Sequence, residues 1–365
     1  MISGPVVQKG RRVYSSNAEM YRLGQNILLS LSCILLPHAG CSAHAMQAHD
    51  SSFYEQGRAA FDSGRWDDAA ALMGKAEAEN PGGSDALLFE GKALFNLNRL
   101  VDAETALVAY AKIHPDSADA LFTLGYVEQR ENKPRESLET YTAAARLRKP
   151  SSNDLKIVAF DYVLLADYVD AIRWLQRAVE FDANNTDAWY SLGRCYYMQS
   201  RFHEAERAFD KTLVLDPNHM KAFENRGLVF DAENRPEAAE QSFRRAIALS
   251  QDQARNDPWP YLDYGSFLVD RNRAAEAIPL FEKAVALAPI CAECHEKLGR
   301  ALGATGDSKR GIDELEAAVA LSPEDAHLHY ELGLAYRSAG MPDRAKAELA
   351  ASEKLYGTKA AGERK

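Results

Sequence analysis

The pattern of apolar and polar positions divides the chain into two unlike parts. In the first, Lys9, Arg11, Arg12 and Arg22 precede an apolar run from Ile27 to Leu36, which meets Pro37 and small residues ending in Ala43-His44-Ala45. From about residue 50 onward apolar side chains recur in fixed columns instead. Glycine stands at Gly57, Gly91, Gly125, Gly193, Gly227, Gly265, Gly299 and Gly333, spaced by 34 residues, with Ala159 standing in once and one step of 38. Twelve residues after each comes a small side chain, such as Ala69, Ala103, Ser137, Ala205 or Gly311, and four further on a bulky one, such as Phe209, Phe243 or Phe281.

These columns predict two antiparallel helices per unit. Glycine and the small residue are needed where the helices cross closely, and the bulky residue fills the space beside the crossing. Pro81, Pro115, Pro217, Pro289 and Pro323 end the second helix, because proline cannot donate the next hydrogen bond. One pair cannot bury its apolar faces alone, so stacking must supply the core, and the expected class is an all-α solenoid.

The most regular copy reads Trp189-x2-Leu192-Gly193-x2-Tyr196, then Ala205-x3-Phe209, then Pro217. This resembles the tetratricopeptide repeat, and the resemblance implies a right-handed α-solenoid of antiparallel helix pairs. Nine copies follow the period, at 50–83, 84–117, 118–151, 152–185, 186–219, 220–257, 258–291, 292–325 and 326–358, leaving 359–365 as a polar, frayed tail. The fourth copy diverges, with Ala159 for glycine and Ala183 for proline, and its first helix, IVAFDYVLLADY, is apolar nearly all round. Such a helix is deeply buried or faces a partner. Four extra residues in SQDQARNDPWP, between the sixth and seventh copies, predict a longer loop.

Composition narrows the function. A net charge of -10 argues against nucleic acid, whose binders carry a basic face. The segment 1–45 has the basic lead, short apolar centre and A-x-A exit of a secretory signal peptide, with Met20 as the expected true start and cleavage expected after Ala45. The expected location is periplasmic or secreted. Ala39-Gly40-Cys41 resembles a bacterial lipoprotein box, with His38 where the box has an aliphatic residue, so a membrane enters only if Cys41 is lipidated.

No phosphate loop or nucleophile motif is present in the sequence, and His327 and His329, two apart on a helix, point in different directions, so neither enzyme chemistry nor a metal site is expected. In proteins of the family, the first helix of each pair makes the concave wall, and ligand contacts flank the glycine. The resemblance therefore implies a peptide-binding groove of Tyr54, Arg58, Lys92, Phe95, Phe122, Tyr126, Arg130, Lys156, Phe160, Tyr190, Arg194 and Tyr197, suited to acidic and apolar side chains. Glu224, Asp231, Asp263 and Asp270 put acid on the same wall later on, which suits two partners or head-to-tail self-association.

Cys291-Ala292-Glu293-Cys294-His295 matches the spacing that tethers haem c. His295, however, occupies a packing column shared with Phe53, Trp189 and His329. In an oxidising compartment, thiols one helical turn apart read first as a disulfide, Cys291–Cys294, structural or exchangeable; free packed thiols are a second reading. The expected function is a non-catalytic scaffold of the cell envelope or exterior that binds other proteins without a cofactor. The alternative is a redox or c-type haem protein using Cys291, Cys294 and His295.

Overall fold

The computed structural model describes residues 52–252 and 257–362. The expected signal segment, with Met20 and Cys41, and residues 253–256 of the insertion lie outside the described residues. Among the described residues every regular element is an α-helix, and the chain divides into two units, up to Ser200 and from Arg201.

Among its described residues the first unit holds nine helices: α1 (Phe53–Asp62), α2 (Trp66–Glu79), α3 (Ala86–Asn96), α4 (Leu100–Ile113), α5 (Ala118–Arg130), α6 (Pro134–Leu147), α7 (Ser152–Leu164), α8 (Tyr168–Phe181) and α9 (Thr186–Met198). Each packs on the next, and each first helix also touches the first helix of the following pair. The second unit repeats this with α10 (Phe202–Leu215), α11 (Met220–Ala232), α12 (Pro236–Asp252), α13 (Trp259–Val269), α14 (Ala274–Leu287), α15 (Ala292–Ala304), α16 (Ser308–Leu321), α17 (Ala326–Ser338) and α18 (Pro342–Gly362).

The glycine column is explained by the bulky residue sixteen positions later. A Cβ on Gly227 would lie 2.6 Å from the Phe243 ring, and one on Gly91 2.6 Å from Leu107 Cγ. Phe209, Phe243, Phe281, Met73 and Leu107, from the bulky column, are all essentially without exposed surface. Close helix contact and a filled core are thus one device.

A second column, seven residues after the first, escapes hydrophobic periodicity because it concerns backbone shape. Gly64, Asn98, Asn132, Ala166, Ser200, Asn234, Asn272, Gly306 and Gly340 all have φ between 56° and 96°. Each sits in the turn between the two helices of a pair, where the chain reverses through a left-handed residue. The next amide then closes the turn, as when Arg99 N–H donates to the Leu94 carbonyl and Asp167 N–H to that of Tyr162. Glycine and asparagine tolerate this conformation; Ala166 does not.

Two expectations are corrected, and one alternative is decided. The insertion is partly helical, because α12 runs on to Asp252 and buries Leu249 and Ser250. The tail expected from residue 359 is helical as far as Gly362. Of the two readings of the apolar helix α7, deep burial is the one observed for Leu155, Ile157, Val158, Ala159 and Val163, which are buried within the unit.

That fourth pair also buries charge. Asp161 has no exposed surface and stands in a column that elsewhere holds Ala93, Val127 or Ala301. Its Oδ2 lies 2.7 Å from Ser137 Oγ, which is itself 2.8 Å from the Gly125 carbonyl oxygen. Ser137 has one proton for these two acceptors, so both contacts are hydrogen bonds only when the Asp161 carboxyl is protonated and donates to the hydroxyl. Burial pushes Asp161 in the same direction, up to about 8.

Candidate functional site

The expected groove residues fall into two groups once the helices are stacked. Phe122 and Lys156, three positions before the glycine or its alanine stand-in, turn inward against the next pair. Phe122 is 5% exposed, with its ring 5.7 Å from that of Tyr141, and Lys156 is 7% exposed. Neither lines an open surface, because this column is covered by the neighbouring first helix; Leu88 in the second pair is buried in the same way. Only Tyr54 and Tyr190 in this column of the first unit keep partial exposure.

The cations are also less available than their spacing implied. Lys156 Nζ is 3.1 Å from Asp187 of the next pair, and Lys92 is paired with Asp119 of the next pair. These ion pairs tie successive first helices together, so the charge is consumed along the stack. Their net worth is small where exposed, about 0–1 kcal/mol, but Lys156 is buried and depends on its partner.

What stays half-exposed is a series of arginines lying on aromatic rings. The Arg58 guanidinium carbon is 3.8 Å from the Phe89 ring centre, with a looser contact of 3.5 Å to Asp62 on the same helix. Phe95 and Tyr126 meet across α3 and α5 with centroids 5.0 Å apart, and Arg130 covers Phe95 at 5.7 Å while donating to Asn98 at 2.9 Å. Arg194 lies 5.9 Å from the Tyr190 ring. Phe160 and Tyr197 are half-buried. Stacked guanidinium groups keep their edges and N–H donors directed outward, which suits carboxylates and apolar side chains.

The acidic group of the second unit changes meaning. Glu224 is 6% exposed, and burial, with Asp263 beside it, pushes its carboxyl well above the ordinary range. Asp231 is held 2.8 Å from Arg271. Of the four, Asp270 alone is exposed, and Asp263 is half-buried. The acid surface expected to oppose the basic one is therefore largely buried or paired.

Cys291 and Cys294 have their sulfur atoms at bonding distance and their Cα atoms 5.3 Å apart. Cys291 is the N-cap of α15, and its sulfur accepts the Cys294 N–H at 3.1 Å. His295 Nδ1 is 2.6 Å from Glu314 Oε2 and its Nε2 3.1 Å from the Pro289 carbonyl oxygen. His329 repeats the arrangement, with Glu348 at 2.6 Å and the Pro323 carbonyl at 3.0 Å. Trp189 in the same column donates to the carbonyl of Ala183, also six residues back. The column thus fastens a ring to the preceding turn, and both His295 nitrogens are engaged. Cys195 is buried, and burial pushes its thiol up to about 12. Among the described residues no His, Cys, Asp and Glu group has a metal-binding arrangement, and no helix is long and apolar enough to cross a membrane.

Family models described as tetratricopeptide repeat match residues 54–118 and 296–358, 186–219, and 221–253. No curated protein matches the sequence. A chain of the APC/C hetero-tetramer Cut9-Hcn1 is similar with a TM-score of 0.52 and 19% identity, over 79% of this chain and 56% of that one, so this chain spans about half its length. A tetratricopeptide repeat protein from Parabacteroides merdae ATCC 43184 gives a TM-score of 0.56 at 20% identity, over 69% of this chain and 98% of that one. YrrB, a TPR protein with an unusual peptide-binding site, gives 0.43 at 25% identity, over 50% of this chain and 95% of that one. At these identities the likeness to the first two speaks for the fold alone. With the 34-residue columns, the close-packed helix pairs and the family matches in both units, the chain belongs to the tetratricopeptide repeat family.

Proposed function

We propose that this protein is a scaffold that binds an extended segment of another protein along the first helices α1, α3, α5, α7 and α9. A protein–protein interaction scaffold is what the repeat family supports, and its fold is typically non-catalytic. The observation that carries the finer reading is the half-exposed cluster of Phe95, Tyr126 and Arg130, flanked by Arg58 on Phe89 and by Arg194 near Tyr190. Aromatic rings and arginines supply most binding energy at protein interfaces, and here both are already ordered by stacking on each other. The preferred ligand is a peptide that alternates acidic and apolar side chains. Compare wild type with the Arg58→Glu, Arg194→Glu double variant in co-purification from native extract, identifying partners by mass spectrometry. A partner lost at least tenfold with the variant supports the reading; an unchanged set sinks it.

Export to the cell envelope or exterior is part of the proposal and rests on the sequence of residues 1–45. N-terminal sequencing of the mature chain tests it, and a lipid-modified Cys41 in place of a soluble chain starting near Ala45 would move the protein to a membrane surface. Haem has no place in this reading, because His295 uses both ring nitrogens within the repeat. Soret absorbance in the purified exported protein would reverse that.

A further inference from the structure

The column occupied by Cys291 holds Ser117, Ser151, Asn185, His219 and Asp325 in other pairs, and each of these caps its first helix by accepting a backbone N–H with a side-chain oxygen or nitrogen. Sulfur is a weak acceptor by comparison, so capping alone does not account for cysteine here. Three residues on, the column that holds Ala120, Ala188 and Ala222 elsewhere has Cys294. The two departures occur together, in one repeat, at the start of one helix.

The two sulfurs are not equivalent. Cys294 has no exposed surface, whereas Cys291 is half-buried beside Ile290, which is 85% exposed in an open turn. An incoming nucleophile therefore reaches Cys291 and not Cys294. When the bond is open, a Cys291 thiolate keeps the place of the cap: it receives the Cys294 N–H already aimed at its sulfur, 3.1 Å away, and lies at the positive end of the α15 dipole. Both effects lower a thiol's pKa and make it a good leaving and capping group. The turn is held independently, by the bond from His295 Nε2 to the Pro289 carbonyl and by the Cys291 N–H to the Ala288 carbonyl. Opening the bond leaves those contacts in place.

We propose that Cys291 and Cys294 form a thiol–disulfide exchange site in the folded protein, with a dithiol as the reductant. A thiolate of the dithiol attacks Cys291 Sγ, the Sγ–Sγ bond breaks, and Cys294 leaves with the electron pair and takes up a proton. The second thiol of the reductant, as thiolate, then attacks its own partner sulfur in the mixed disulfide and releases Cys291 as the thiolate. The protein gains two electrons and the dithiol becomes a disulfide. Cys195, buried in the first unit, takes no part.

The test uses the oxidised full chain in native buffer, with dithiothreitol as the dithiol and iodoacetamide followed by mass spectrometry as the readout. Reduction while far-UV helicity is unchanged is expected, with Cys291 alkylated at least tenfold faster than Cys294 and Cys195 unmodified. In Cys294→Ser, Cys291 should form a stable mixed disulfide with glutathione disulfide, and Cys291→Ser should not form one at Cys294. The proposal is overturned if the oxidised chain has no bond between the two cysteines, if the bond opens only in denaturant, or if Cys291 reacts as slowly as Cys195.

Discussion

His329 Nδ1 lies 2.6 Å from Glu348 Oε2, and its Nε2 faces the Pro323 carbonyl, so both ring nitrogens meet acceptors and the imidazole is fully satisfied only when protonated. Burial pulls its pKa down, but the hydrogen bonds to Glu348 and Pro323 outweigh this and hold it above the ordinary value. A folded pKa above the unfolded one contributes stability that is complete below about 6.5 and is lost as pH rises through the raised value. Thermal melts from about pH 5 to pH 9 should show this loss for the second unit. The double change His329→Leu, Glu348→Leu, which replaces the ion pair by two apolar side chains, should flatten it. If the wild-type and double-variant profiles run parallel, the pair is not the cause.

Asp161 gives a fall in stability with rising pH from a carboxyl, in the first unit. With its pKa pushed up to about 8 by burial, the folded state stays protonated while the unfolded chain ionises. The unfolded state then binds fewer protons, so stability falls by up to about 1.4 kcal/mol per pH unit between about pH 4 and pH 8. Asp161→Asn keeps a donor for Ser137 and cannot ionise. Denaturant titrations should place it near wild type at acid pH and well above it at pH 8, and equal stability at both ends would refute the assignment.

Ala166 carries φ 58°, where a Cβ costs about 1–2 kcal/mol. Ala166→Gly relieves that cost but loosens the unfolded chain, for a net gain of about 1 kcal/mol. Urea midpoints measured at unchanged m-value are the readout. A lower midpoint would mean that the turn is not strained.

Two glycines separate close packing from helix propensity. Gly227→Ala places a Cβ 2.6 Å from the rigid Phe243 ring and should cost about 2 kcal/mol. Gly303→Ala meets nothing within 4 Å in α15 and should gain up to about 1 kcal/mol. Calorimetry on both variants distinguishes the effects, since a shift of the same sign in the two would contradict the steric explanation.

Much of the architecture was readable because a repeated sequence compares with itself. Gly227 and Phe243 announce their contact by recurring sixteen residues apart in other copies. Sidedness was harder to read. Phe122 and Lys156 stand in a recurring column, but period alone does not say that the next first helix covers it, since that depends on how one pair is rotated onto another. Lys92 read as a groove cation because Asp119, its partner, lies in the following copy. The left-handed column was missed because Gly64, Asn98, Ala166 and Ser200 share no side-chain property, only a backbone angle.

Ala166 has one more consequence. In a stacked array each pair leans only on its neighbours, and the pair α7 and α8 combines a strained turn with a buried carboxyl that must stay neutral. Whatever pulls or warms the first unit should therefore find its seam there: amide hydrogens of α7 and α8 should exchange ahead of those in α3 to α6, and the remaining helices would come apart outward from that point.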